Sequence, residues 1–142
     1  MYFNGNFIDH LKLLFENSRD FVFFMRKIDQ DYEYVYTNKS ATDMLGRDCI
    51  GNTIRQAIDN DAAKFIINHY NMAINKECQY EFEDYSYIKL HVYKHETTVT
   101  PVYIDDETYV LAITKEITSD REIQDKYLFM RSIFLKTFLS TV

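Results

Sequence analysis

Few side chains in this sequence could carry out chemistry, and their spacing narrows the options further. Cys49 and Cys78 sit in different predicted elements and form no CxxC pair. They read as reduced thiols of a cytoplasmic protein. His91 and His95 share one face of a predicted strand. At a rise of ~3.4 Å per residue they stand about 13–14 Å apart. Ligands must lie ~2 Å from a shared ion, so no metal site follows from them. The acidic groups Glu81/Glu83 and Asp105-Asp106-Glu107 match no EF-hand loop and lack its glycine. They read as solvated faces and loops. No GxSxG, HExxH, P-loop or GxGxxG motif occurs, and no nucleophile stands beside an evident base. The sequence therefore argues against an enzyme and against a metal.

Composition sets further bounds. With 142 residues, 46% hydrophobic and 27% charged, the chain suits one globular domain with a real core. Twelve Tyr and eleven Phe without Trp favour pleated, half-buried surfaces. A net charge of −6 with scattered basic residues argues against nucleic acid, whose phosphates require a basic face. No apolar run approaches the ~20 residues that span a bilayer, and no signal peptide is evident.

The elements that must position any site follow from periodicity. Phe7, Leu11 and Leu14, with Ile8 and Phe15 beside them, predict a short amphipathic helix ending near Ser18. Phe21 to Met25 is an apolar run suited to a buried strand, and Tyr32, Tyr34 and Tyr36 alternate as its hairpin partner. Asn38 opens a short helix closed by Gly46, and another short helix follows Gly51. Asp59-Asn60-Asp61 caps a longer helix over about Ala62 to Asn75. Cys78, Tyr80 and Phe82 are predicted inward, with Gln79, Glu81 and Glu83 outward. A long strand from about Ile88 to Tyr103 changes apolar parity, predicting a bulge near Lys94 to Glu96. A last strand, Thr108 to Ile117, runs straight into the capping box Ser119-Asp120-Arg121-Glu122.

That order, with Asn38-Lys39-Ser40-Ala41, Met44-Leu45-Gly46, Ile50-Gly51, Val99-Thr100-Pro101-Val102 and Glu116-Ile117-Thr118 at set places in it, resembles the PAS sensor-domain family. The chain departs from the family pattern at Glu116, where Asp is usual, and in a last hairpin without Gly. The fold implied is α+β, a five-stranded antiparallel sheet with helices on one face plus N-terminal and C-terminal amphipathic helices. The implied division is residues 1–18 as the N-terminal helix, 19–118 as the sensor domain and 119–142 as a signalling helix.

The resemblance raises two cofactors, and the residues disfavour both. Gly46-Arg47-Asp48-Cys49 is similar to the flavin-adduct motif of the light-sensing branch, but that motif's glycine aligns with Gly51. Ile54 then stands where the reactive cysteine would be. Haem-binding members take an axial histidine from the long helix, which singles out His69. At ~100° per residue, Ala63, Ile67, Tyr70 and Ile74 cluster on one face, and His69 lies roughly 120° from their centre. No covalently bound cofactor is expected.

What remains is a small-molecule pocket between the long helix and the sheet, with Tyr34, Tyr36, Ile54, Ile66, Ile67, Tyr70, Tyr80 and Tyr93 as lining candidates. The resemblance implies a sensory or regulatory module feeding a C-terminal output domain, a histidine kinase or a cyclic-dinucleotide enzyme. The chain stops inside an apolar helix, Phe134 to Val142, as if cut before that domain. In the exit helix, Ile123, Tyr127, Met130, Phe134 and Phe138 form one apolar stripe, with a second through Leu128, Leu135, Leu139 and Val142. Two stripes imply a second partner, and a parallel homodimer is expected. The rivals are a ligand-free interaction and dimerisation module and, more remotely, a small enzyme with a cone-shaped α+β fold.

Overall fold

The computed structural model describes residues 5–88 and 91–117. Helix α1 (Gly5–Phe15) places Leu11 in the core with Phe7, Ile8 and Phe15 packed beside it. Leu14, expected on that stripe, is 70% exposed, and so is its neighbour Leu13 at 83%. The buried face is rotated away from Leu14 toward Ile8 and Phe15.

Strand β1 (Phe21–Ile28) buries Val22, Phe23, Phe24 and Met25 in succession, the mark of a strand covered on both faces. A two-residue turn with Asp29 at φ 52° leads to β2 (Asp31–Thr37). Met25 pairs with Tyr34, but Phe24 pairs with Tyr36, so Val35 is an extra residue in β2. This bulge has a large effect. Tyr34 and Tyr36 would share a face in a regular strand, and the inserted residue sends them to opposite faces.

Asn38 caps α2 (Lys39–Leu45) and is wholly buried. Its Oδ1 accepts from the N–H groups of Val22 (3.1 Å) and Ala41 (3.0 Å). Its Nδ2 donates to the carbonyls of Phe15 and Asp20, both at 2.8 Å. One side chain thus joins α1, β1, α2 and their connections. Gly46 ends α2 at φ 80°, the left-handed position that glycine adopts without steric cost. Helix α3 (Ile54–Ala57) starts from a reciprocal Thr53/Gln56 capping box, and α4 (Asn60–Lys76) from the Asp59 carboxylate.

Strands β3 (Tyr80–Ile88), β4 (His91–Ile104) and β5 (Glu107–Ile117) complete a five-stranded sheet in the order β2-β1-β5-β4-β3. The β4–β5 turn forms without glycine because Asp105 (φ 48°) and Asp106 (φ 65°) both take the left-handed conformation. Short polar side chains tolerate it best after glycine.

The described residues fall into two compact units, one running up to Phe82 and including Thr97–Lys115, the other containing Glu83–Glu96. In the second unit Lys94 lies 3.2 Å from Glu83 and 3.1 Å from Glu96. Both carboxylates raise its pKa, foremost through their hydrogen bonds. Within the first unit the two sheet faces carry separate cores. Phe23, Met25, Tyr32, Tyr34, Val110 and Ala112 pack with α4, while Val22, Phe24, Tyr36 and Tyr109 pack with Leu11 of α1.

Candidate functional site

The α4 face gathers three phenols in an apolar setting. Alternation along β2 turns Tyr32 and Tyr34 inward, and the angular stripe of α4 brings Ala63, Ile67, Tyr70 and Ala73 onto them. The Tyr32 and Tyr70 rings meet edge to face at 5.1 Å. The loop after α2 closes over the same region. Its Asn52 carbonyl accepts from the Tyr34 N–H and its Gly51 N–H donates to the Tyr34 carbonyl, both at 2.9 Å. That clasp places Cys49 and Ile54, each 1% exposed, beside the tyrosines.

The hydroxyls differ in what they meet. Tyr32 Oη donates to Asn71 Oδ1 at 2.6 Å. Tyr34 and Tyr70 are 4% and 5% exposed, and among the described residues neither hydroxyl has a hydrogen-bond partner. Neither hydroxyl is sealed off: among the described residues the buried side-chain polar atom without a partner is Arg26 Nε, so both hydroxyls keep some open access. Burial pushes all three phenols well above their ordinary pKa. For Tyr34 the neighbouring Cys49 and Asp31 add to burial, and for Tyr70 the other two phenols do. The groups stay protonated at neutral pH, each able to donate one hydrogen bond and to accept others. Phenols held neutral suit hydrogen bonding to a guest better than proton transfer at neutral pH.

Of the residues expected to line a pocket, Tyr34, Ile54, Ile67 and Tyr70 share this core, with Ile66 and Tyr80 partly buried at its rim. Tyr36 does not belong there. The Val35 bulge places it under α1, where its hydroxyl donates to Glu16 Oε1 at 2.9 Å. Tyr93 belongs to the unit containing Glu83–Glu96. The exit-helix residues Ile123, Tyr127, Met130, Phe134 and Phe138 lie outside the described residues.

His69 is half-buried at the boundary, as its angle on the helix predicts, yet it is not loose. Its ring stacks on Phe82 at 4.2 Å, meets Phe65 edge to face at 4.5 Å, and brings Nδ1 within 3.3 Å of Tyr80 Oη. Ile74, expected inward, is only partly buried, and Ala73 takes the inward place.

Cys78 corrects the expected strand register at its start. It is exposed, while Tyr80 and Phe82 do point inward and Gln79, Glu81 and Glu83 outward. Glu77 ends α4 in the left-handed conformation (φ 53°), and the Cys78 N–H bonds back to the Ala73 carbonyl at 3.3 Å. Cys78 is therefore part of the helix-closing turn, and β3 begins after it.

Sequence reasoning read Asn38 only as a helix start. Its burial and fourfold bonding had no local signal, because three of its four partners lie 16 to 23 residues away in sequence. The Thr53-Ile54-Arg55-Gln56 box, by contrast, has a local signature, a threonine followed three residues later by glutamine.

No family model and no curated protein matches the sequence. Solved structures do match the fold. The PAS domain of BvgS from Bordetella pertussis superposes with a TM-score of 0.65 at 11% identity, covering 90% of this chain and 98% of that one. VqmA of Vibrio cholera, in a structure with ligand and DNA, gives 0.62 at 16% identity, covering 87% of this chain and 57% of that one. The PAS domain of an HTR-like protein from Haloarcula marismortui gives 0.51 at 20% identity, covering 79% and 93%. The sheet order, the Asn38 and Gly46 landmarks and these superpositions agree: the chain adopts the PAS-domain fold.

Proposed function

We propose that this chain is a sensory module that binds a small molecule against Tyr34 and Tyr70 and relays its presence through β5 to residues 119–142 and an output domain. The observation that supports the reading is a pair of largely buried tyrosines whose hydroxyls have no hydrogen-bond partner among the described residues and keep some open access. A guest with at least one acceptor would satisfy both phenols and displace no existing protein hydrogen bond. The relay is direct because β5 lies beside β1 at the centre of the sheet and pairs with it from Phe21↔Thr114 to Arg26↔Tyr109. The output is a histidine kinase or a cyclic-dinucleotide enzyme, and two copies act as a parallel homodimer in the cytoplasm. The guest is not a flavin adduct, since Ile54 has no thiol to form one, and not haem, since His69 is engaged with Phe82 and Tyr80.

Native mass spectrometry of the chain, gently purified from its own source, tests the reading. A non-covalent adduct is expected in the wild type and is reduced in Tyr34→Phe and Tyr70→Phe. A bare mass, together with no thermal shift on adding a small-molecule extract, would favour a ligand-free interaction module instead. Sedimentation of the 142-residue chain and of a version ending at Asp120 tests the dimer. Dimers are expected of the former and monomers of the latter.

A further inference from the structure

On the α1 face a cleft of about 350 Å³ opens between α1, the end of β2 and the loop that follows α2. Its apolar walls come from Ile8, Val35 and Ile50, and Ile50 is 48% exposed. Its charges come from Lys12 and Glu16 on successive turns of α1 and from Asp48 in the loop.

These charges have not paired with one another. Lys12 and Glu16 are four residues apart on one helix, within reach of an ion pair. Among the described residues neither forms one. Glu16 instead accepts the hydrogen bond of the buried Tyr36 phenol, which ties its carboxylate to the sheet. Asp48 accepts from the Ile50 N–H at 2.9 Å and also has no cation among the described residues. The Thr37 and Thr42 hydroxyls, 2.8 Å apart, complete the lining. Whichever of them donates, the other keeps a hydrogen for a guest.

We infer that this cleft is a second binding site, for a small zwitterion with an apolar body: a free aliphatic or aromatic α-amino acid. Its ammonium meets Glu16 and Asp48, its carboxylate meets Lys12, and its side chain lies on Ile8, Val35 and Ile50. The volume is at the low end of the ~300–1,000 Å³ range of ligand clefts, which fits a guest of that size. Two carboxylates against one ammonium make the cationic end of the guest the more strongly selected. Occupancy would brace α1 against β2, the edge strand of the sheet. The inference is independent of the tyrosine core on the other face.

The test is a titration of the ¹⁵N-labelled chain with L-leucine, L-isoleucine, L-valine and L-phenylalanine, followed by NMR. At least one of the four should give saturable shifts at the amides of Ile8, Lys12, Val35, Thr42 and Ile50, with half-saturation near or below ~1 mM. The matching amine and the matching acid, each lacking one charge (3-methylbutylamine and 4-methylpentanoate for leucine), should bind about tenfold more weakly. Lys12→Ala and Glu16→Gln should weaken binding to a similar degree while leaving the remaining spectrum in place. Lys12 is exposed, and a glutamine at position 16 can still accept from Tyr36. The inference is overturned if none of the four saturates by ~20 mM. Equal binding of a one-charge analogue, or shifts centred on Tyr34 and Tyr70, would overturn it as well.

Discussion

The two faces of the sheet solve the same problem in different ways. Each buries tyrosine from β2 beneath a helix, yet under α1 the phenol of Tyr36 is paired with Glu16, while under α4 those of Tyr34 and Tyr70 have no partner among the described residues. The α1 face uses its polar groups to fasten a helix. The α4 face keeps two in reserve. Phenylalanine at positions 34 and 70 would break no hydrogen bond among the described residues, so these two hydroxyls are not what holds the α4 face together. A single inserted residue, Val35, makes the contrast possible.

Alkali should affect both faces most strongly. Burial raises the pKa of Tyr32, Tyr34, Tyr36 and Tyr70, with Glu16 adding to the rise at Tyr36. Above about pH 10 the unfolded chain loses phenolic protons that the folded state keeps. The stability due to these groups is thus complete below pH ~10 and falls as pH rises beyond it. Tyrosinate absorbance at 295 nm should climb cooperatively with loss of circular dichroism. Tyr70→Phe should move that transition to higher pH by more than Tyr36→Phe does. An equal movement would mean that the two faces are alike.

Asn38→Ala should cost about 3–5 kcal/mol in urea unfolding, because it leaves the Val22 N–H and the Phe15 and Asp20 carbonyls without their partner. A loss under about 1 kcal/mol would mean that water replaces the side chain at this buried junction. Deleting Val35 should cost less, about 1–2 kcal/mol, and should keep the fold. Removing the extra residue leaves Tyr34 and Tyr36 on opposite faces of a now regular strand, still opposite Met25 and Phe24. Loss of folding would show that the bulge does more than set the faces.

The smallest effects separate the faces most sharply. Tyr36→Phe should destabilise by about 1 kcal/mol, leaving the Glu16 carboxylate without its donor. Tyr34→Phe and Tyr70→Phe in the ligand-free chain should be within about 0.5 kcal/mol of wild type or slightly more stable. If Tyr34→Phe cost as much as Tyr36→Phe, its hydroxyl would have a protein partner and the proposed guest would lose its support.

Periodicity read the local parts of this fold well. The inward Tyr80 and Phe82, the α4 stripe through Ala63, Ile67 and Tyr70, and the Gly46 helix end all follow from single elements and their spacing. What escaped were the places where one residue changes the count. Val35 breaks the period of two and removes Tyr36 from the site, and the Cys78 N–H is used to close α4, which delays β3. Neither has a sequence signature, because valine in a strand and cysteine after a helix are unremarkable residue choices. The candidate site was legible as a set of tyrosines. Which of their hydroxyls lacked partners depended on Asn71 and Glu16, contributed from elsewhere in the chain.

The position of β5 has a consequence for how the chain is made. Phe21 and Thr114 are adjacent across the sheet yet about 90 residues apart in sequence. At a synthesis rate of ~5–20 residues per second, β1 leaves the ribosome roughly 5–20 s before its central partner exists. During that interval the β1–β2 hairpin can close, but the other edge of Phe21-Val22-Phe23-Phe24-Met25 stays bare, an apolar strand edge of the kind that seeds aggregation. The same strand pairing that would carry a signal out of the finished domain therefore makes the nascent chain wait for its last strand, and makes it a natural client for chaperones.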